Sequence, residues 1–380
     1  MTIDQIDCMM RGAIDEGVFP GGALLFSQSG AVLFNRVYGV ADITTGRPIT
    51  PRTFFDLASL TKPLATTLAV MKLIAQKKLD LDWEISAVIP EFSNNETSDI
   101  RIRHLLSHQA GLADYRPYYL EIGKLPFRDR RAALRQCLIR EPLVSPPGEQ
   151  TRYSDIGFMI LEWLVAAAAK IALDQFVYRH IYRPLGIDDL FFIRTQTPDP
   201  GLSDIDFAST ENCPWRGYTV NGAVHDENAF VMGGVAGQAG LFGTATSAHR
   251  LLVALMTVYA GNNENMLHSE NTLHPVLDPG LLQIFFKEHE HSGRALGFDM
   301  PSASGSSSGD FFSRSHTVGH LGFSGTSFWM DLSQSIIVIL LTNRIHPTRA
   351  NHQIRWFRPQ IHNAVMQYIK SKCRQMPDEC

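Results

Sequence analysis

Cysteine is scarce in this chain: five residues in 380, at Cys8, Cys137, Cys213, Cys373 and Cys380, with no CxxC pair and no short spacing. That argues against a disulfide framework and against the common structural zinc sites, and it suits free thiols in a reducing compartment. A charge excess is missing as well. With 34 basic against 38 acidic side chains, the net charge of −4 provides no cationic surface for counterion release, so nucleic acid is not expected as a partner. No long apolar run is present. The best candidate, Ile156 to Leu173, is broken by Glu162 and Lys170 and reads as a buried amphipathic helix, not a membrane span. The opening MTIDQIDCMMRGAIDEG carries acids early and has no apolar core of signal-peptide length. A cytoplasmic location is therefore the expectation, although a periplasmic chain trimmed of its leader would read the same way. Lysine is also rare, at nine of the 34 basic residues.

What is present is ordinary globular composition, 44% apolar and 19% charged, in a chain long enough for about two to three domains. Helical spacing of Ile3, Ile6, Met10 and Ile14 opens it. Two strand-like runs, Ala23–Ser27 and Ala31–Val37, follow around Gln28-Ser29-Gly30 as a hairpin. The middle is mostly helical: Leu60–Lys78, Ile102–Ser107, Arg128–Arg140 and Asp155–Leu173. Strand patterns return at Ser324–Leu332 and Ser335–Thr342, ahead of a closing helix over Gln353–Lys370. Strands, helices, then strands imply a sheet assembled from both chain ends, with 1–57 and 240–380 as a discontinuous α/β domain and 58–239 as a mainly helical one. Residues 260–280 and the Ser/Gly tract 301–309 read as insertions or flexible loops.

The chemistry centres on Ser59-Leu60-Thr61-Lys62, where a strand-like segment hands over to a long helix. Spacing of three on a helix brings the lysine amine to the serine hydroxyl, and the helix N-terminus favours negative charge developing there. A lysine of lowered pKa could then serve as base. With 26 serines and nine lysines, chance spacing gives on the order of one such pair, so the motif gains weight only from its company. Tyr153-Ser154-Asp155 follows a Pro-Pro-Gly turn, and His320-Leu321-Gly322-Phe323 precedes the strand-like Gly325–Asp331.

With these motifs in this order, and with ASLTKPLATTLAVMKLIAQKKLDLD, LLSHQAGLADY, PPGEQTRYSDIGFMILEWLV, GHLGFSGTSFWMD and IIVILLTNR, the chain resembles the serine β-lactamase-like hydrolases over most of its length. These include class C β-lactamases, D-alanyl-D-alanine carboxypeptidases, penicillin-binding proteins, D-aminopeptidases and esterases. The resemblance implies an α/β fold of the β-lactamase/transpeptidase type, an antiparallel sheet flanked by N- and C-terminal helices, plus an all-helical lobe. It also implies that Ser59 is the nucleophile, that Lys62 and Tyr153 move its proton, and that the backbone N–H groups of Ser59 and Phe323 form the oxyanion hole. Asp155, His320, Gly322, Tyr115 and Arg344 fall at substrate-binding positions, with no metal and no cofactor.

Two positions depart from the family pattern. Aspartate stands at 155 where asparagine is usual, and histidine at 320 where lysine is usual. A mostly uncharged histidine weakens recognition of a substrate carboxylate, and an ionised aspartate only accepts hydrogen bonds while holding Lys62 protonated. Both changes favour small esters, amides or peptides over β-lactams.

Other features read more blandly. The glycine-rich 233–243 segment lacks the Gly-Lys-Ser/Thr of a phosphate loop and is expected to pack, leading into a helix near Thr246-Ser247. His225-Asp226-Glu227 reads as a rim loop, with a metal site as the alternative. His104 and His108 have helical spacing but lack the glutamate of a zinc hydrolase motif, and His289-Glu290-His291 reads as a solvated turn. Phe54, Phe55, Trp163, Phe328 and Trp329 are expected in the core. The first functional expectation is a serine hydrolase. A non-catalytic sensor or interaction module on the same fold is the second, and a metal hydrolase using the histidine-rich segments is the third. Oligomeric state is not legible.

Overall fold

The computed structural model of the protein describes residues 1–93, 97–197, 201, 204–261 and 276–375, with side chains through 372. Its centre is an eight-stranded sheet. In spatial order the strands are Arg47–Pro48, Ala31–Asp42, Gly21–Gln28, Ile336–Thr342, Ser327–Asp331, Thr317–Leu321, Phe298–Asp299 and Arg294–Ala295, and every pairing is antiparallel. The first hairpin turns on Ser29-Gly30, both at positive φ, the two-residue geometry that suits the strand twist. The third and fourth strands in this order come from opposite ends of the chain, with Leu25 opposite Ile339 and Phe26 opposite Val338.

Helices cover both faces of the sheet, which explains an unbroken apolar strand at 336–342 where a half-exposed strand would alternate. On one face Leu24, Phe26, Val338 and Leu340 meet Ile6, Met10 and Ala13 of the N-terminal helix (Ile3–Asp15) and Ile361 and Val365 of the C-terminal helix (Ile354–Gln375). On the other, Leu25, Ile337, Ile339 and Leu341 join the main core, shared with helices Leu68–Ala75, Asp155–Ala169 and Ala245–Tyr259. Pro359 lies inside the C-terminal helix, where proline costs about 3 kcal/mol. Burial of Ile354, Phe357, Ile361 and Val365, at about 1.5–3 kcal/mol each, outweighs it.

Several expectations are corrected. The helix expected over 60–78 opens as a 3-10 turn at Ala58–Leu60, continues as a π-helix over Lys62–Thr67 and becomes α-helical only at Leu68–Ala75. Pro63 supplies no N–H to the ladder, and the Thr66 hydroxyl donates sideways to the Gly237 carbonyl, so regular winding is interrupted there. His320 lies within a strand of its own, Thr317–Leu321, as well as ahead of the strand Ser327–Asp331. The Ser/Gly tract at 301–309 is held in place: Ser306 and Ser308 are buried and mutually hydrogen-bonded, and the His362 ring bonds the Ser307 carbonyl. The helix after the glycine-rich segment begins at Ala245, one residue before Thr246, with Thr244 and Ser247 forming its capping box. Residues 260–280 fall largely outside the described residues. Phe55, Trp163, Phe328 and Trp329 are core residues, with Phe54 half-buried beside them. No single described helix is long and apolar enough to cross a membrane.

Candidate active site

Ser59 follows a residue in a sparsely populated conformation. Ala58 has a φ of 48°, in the left-handed region that disfavours a Cβ, and Asp56 secures it by accepting the Ala58 N–H at 2.8 Å. The other oxygen of Asp56 accepts the His225 N–H at 2.7 Å, and its backbone carbonyl accepts the Ser324 hydroxyl at 2.7 Å. Asp56 thus ties the nucleophile turn to two walls of the site, one through its carboxylate and one through its backbone carbonyl. Burial pushes its pKa up, opposed by these hydrogen bonds.

Lys62 is fully buried among polar partners. Its Nζ donates to Ser59 Oγ at 3.1 Å and to the Gln238 carbonyl at 3.1 Å, and it lies 2.7 Å from Asp155 Oδ1. Burial alone would lower its pKa, but the Asp155 charge more than reverses this and holds the ammonium well above the usual lysine range. Asp155 reaches this point as the first residue of its helix, whose cap Ser154 accepts the Gly157 N–H and donates to the Ala113 carbonyl.

Tyr153, just before that cap, faces the same centre. Lys62 Nζ lies 4.9 Å and the Arg294 guanidinium 5.3 Å from its ring centroid, and the His108 ring packs 4.5 Å away. Its hydroxyl interacts with Lys62 and Ser59. Burial raises its pKa more than the Lys62 cation lowers it, so at neutral pH the group is a neutral phenol. His108 is locked by accepting the Ser154 N–H at 3.0 Å, and His104 by accepting the Arg101 N–H, so each member of the HLLSH pair is committed to backbone.

His320 does not line the cavity in front of Ser59. It is buried behind Tyr153, with ring centroids 6.0 Å apart. Its Nδ1 donates to the Leu321 carbonyl at 2.8 Å, which leaves Nε2 as an acceptor without a hydrogen-bond partner, 3.9 Å from Asp299. Burial pushes its pKa down to about 4, against the pull of Asp299. The ring is therefore neutral and unsuited to holding a carboxylate.

The turn after His320 is fastened onto the nucleophile segment. The Thr326 hydroxyl donates to the Leu57 carbonyl at 3.1 Å, and the Gly322 N–H donates to the Thr326 carbonyl at 2.7 Å. A Cβ at Gly322 would sit 1.9 Å from Thr326 Oγ1 and 2.7 Å from the Leu57 carbonyl, so this close approach requires glycine. Neither the Ser59 nor the Phe323 N–H has a hydrogen-bond partner among the described residues. Both residues border the same cavity, as an oxyanion hole requires.

That cavity holds about 420 Å³. Ser59, Tyr153 and Phe323 line it, together with Asp155, Asp226, Glu227 and the half-exposed Tyr115. His225-Asp226-Glu227, expected as a rim loop, is an inner wall, with His225 and Glu227 buried. Burial, with Asp155 nearby, raises the Asp226 pKa to about 6. Arg349 also lines the cavity, but its guanidinium is bound by Glu211 and Glu227. The same two carboxylates and Cys213 are the one group among the described residues that could converge on a metal, and Arg349 bridges them. Arg344, expected as a substrate contact, lies buried behind Phe323 and grips its carbonyl. Asp56, Gln238 and Arg294 escaped sequence reasoning, and the sequence shows His108 only as half of a histidine pair. Only the Asp-Leu-Ala-Ser order hinted at a carboxylate capping the nucleophile turn.

Residues 6–361 match the family model described as Beta-lactamase. The N-acetylmuramyl-L-alanine amidase of Bacillus subtilis is 30% identical over 374 residues, covering 90% of this chain and 81% of that protein. A Salmonella heidelberg protein provisionally named D-alanyl-D-alanine carboxypeptidase is 29% identical over 382 residues, covering 93% of this chain and 85% of its own. Among solved structures, EstCE1, a hydrolase with promiscuous acyltransferase activity, superposes with a TM-score of 0.69 at 22% identity, over 94% of this chain and 98% of its own. At that identity the likeness speaks for the fold.

Proposed function

The chain belongs to the β-lactamase family and is a serine hydrolase within it, and from that premise we propose that it cleaves small esters or amides through an acyl-enzyme on Ser59. The observation that carries this reading is the 3.1 Å contact between Lys62 Nζ and the Oγ of Ser59, which lines a cavity of about 420 Å³.

At rest Lys62 is an ammonium and Tyr153 a neutral phenol, so the base must be generated. The Lys62 proton passes to Asp155, 2.7 Å away, and the neutral amine takes the proton of Ser59 Oγ as it attacks the carbonyl carbon. Expulsion of water by substrate favours this exchange, because a low-dielectric site penalises the separated charges more than the neutral pair. The tetrahedral oxyanion is held by the Ser59 and Phe323 amides. Tyr153, neutral and beside Ser59, gives its proton to the leaving group, and water then attacks the acyl-enzyme by the reverse path.

The named activities of the Bacillus and Salmonella relatives concern amide bonds of amino-acid derivatives, which supports amides as one substrate class. The cavity wall carries Asp155, Asp226 and Glu227, and its one guanidinium is engaged by Glu211 and Glu227, so neutral or cationic groups beside the scissile bond are preferred over carboxylates. β-Lactams are expected to be poor substrates.

A fluorophosphonate probe, with p-nitrophenyl acetate, p-nitrophenyl butyrate and nitrocefin assayed in parallel, tests this. The expected result is labelling that Ser59→Ala abolishes, ester turnover indifferent to chelator, and little nitrocefin hydrolysis. Unlabelled, inactive protein would instead favour the sensor reading, and chelator-sensitive turnover a metal hydrolase.

A further inference from the structure

Two buried arginines stand behind the turn that carries Phe323. Arg358, on the C-terminal helix, is 7% exposed, and its Nη2 donates to the Gly322 carbonyl at 2.9 Å and to the Thr326 carbonyl at 2.8 Å. Arg344, 5% exposed, donates through Nε and Nη2 to the Phe323 carbonyl at 2.9 and 2.6 Å, and its guanidinium lies 4.7 Å from the centroid of the Phe323 ring. Neither forms an ion pair with a carboxylate among the described residues. A buried guanidinium with only carbonyl partners is costly to keep, and burial pulls the pKa of Arg358 down to about 9 and that of Arg344 to about 10.

The Gly322 carbonyl and the Phe323 N–H belong to one peptide unit. In a trans peptide they point in opposite directions, so a donor fixed on the carbonyl aims the N–H away from it. A charged donor on the carbonyl also withdraws electron density from the peptide nitrogen, which makes its hydrogen a stronger donor. The next carbonyl, that of Phe323, is held by Arg344 in the same way.

We propose that Arg358 is a positioning residue for catalysis: it clamps and polarises the 322–323 peptide so that the Phe323 N–H meets the transition-state oxyanion, with Arg344 fixing the adjoining peptide. This rests on the serine-hydrolase reading above and adds to it a source of oxyanion stabilisation that touches neither substrate nor nucleophile. Both cations are bonded to carbonyls of the turn that carries Phe323. The turn therefore offers positive potential to the developing charge although the cavity wall is acidic.

The test compares wild type, Arg358→Met and Arg358→Lys on p-nitrophenyl butyrate and on its thiono analogue, in which sulfur replaces the carbonyl oxygen and accepts hydrogen bonds poorly. Thermal midpoints are recorded for all three. Arg358→Met is expected to lower kcat on the oxygen ester about tenfold with KM within about twofold, and to change thionoester turnover much less. Arg358→Lys, which keeps a charged donor, is expected to recover part of the loss. Equal losses on both substrates, a loss confined to KM, or unchanged kcat in folded Arg358→Met would overturn the proposal. If Arg358→Met does not fold, Arg358→Lys and Arg344→Lys decide it by the same oxygen-to-thiono comparison. A wild type that turns over no ester and takes no probe would sink the hydrolase reading itself, whereas an active wild type with indifferent arginine variants removes only this inference.

Discussion

Asp155 sets the protonation state of the residue beside it. Its carboxylate offsets the burial that would otherwise lower the Lys62 pKa, so the resting site holds an ion pair where an asparagine would leave a buried amine. The sign of a substitution follows. Asp155→Asn removes the charge that raises the lysine pKa, and with it the acceptor of the lysine proton. Wild type needs no net loss of a proton, because Asp155 takes the one on Lys62, whereas the variant must lose it to solvent. The acid limb of the kcat/KM profile for p-nitrophenyl acetate is therefore expected to move up by about one pH unit or more, and an unmoved limb would contradict the proposed proton route. Ser59, Lys62, Tyr153 and Asp155 were legible because local spacing and chain order mark them. Asp56, His108 and Gln238 were not, since each acts on a group that only the tertiary fold brings near: the Asp56 carboxylate on the His225 N–H, the His108 ring on the Ser154 N–H, and the Gln238 backbone carbonyl on the Lys62 ammonium. Arg344 and His320 were legible as positions but not in orientation, because a sequence motif does not say which side of a turn or strand faces the cavity.

At the scale of elements, the site depends on how the turn after His320 seats against the segment before Ser59. Gly322 is needed there for space and not for an unusual φ, as its virtual Cβ would overlap Thr326 and the Leu57 carbonyl. Gly322→Ala is expected to cost about 1–3 kcal/mol of stability, read as a lowered thermal midpoint. Ester kcat should fall by at least about tenfold, because the shift falls on the Phe323 amide. Wild-type activity in this variant would mean that the Phe323 N–H is not an oxyanion donor. The strand Thr317–Leu321 was missed because SHTVGHL carries too few apolar residues to show a strand period, and pairing with Ser327–Asp331 supplies what the pattern lacks. The nucleophile helix was recognised, but its 3-10 and π turns were not. They follow from Pro63 and from threonine hydroxyls turned toward a loop some 170 positions away in sequence, with Thr66 and Gly237 as the example.

For the molecule as a whole, the pairing of strands 21–28 and 336–342 makes the sheet a joint product of both chain ends, and the strand–helix–strand order foretold it. Leu340→Ala, at the fully buried centre, is expected to cost about 2–5 kcal/mol. The Glu211–Arg349 pair joins the middle of the chain to its C-terminal part. Burial opposes the charge on Glu211, but His225 and Arg349 outweigh it and hold its pKa down to about 2 from 4.5. A depressed carboxylate pKa contributes stability above its unfolded value and loses that stability as pH falls through the folded one. Glu211→Gln should therefore be less stable at pH 7 and show a flatter decline between pH 4.5 and 2 in denaturant titrations. That pair was beyond sequence reasoning, since nothing local links residues 211 and 349. The hydrolase claim itself is tested most directly by intact-mass spectrometry of the protein quenched in acid during turnover of a p-nitrophenyl ester, followed by peptide mapping. A mass increase of one acyl group located on Ser59 and absent from Ser59→Ala is expected, whereas ester turnover with no adduct, or an adduct on another residue, would contradict acyl transfer to Ser59.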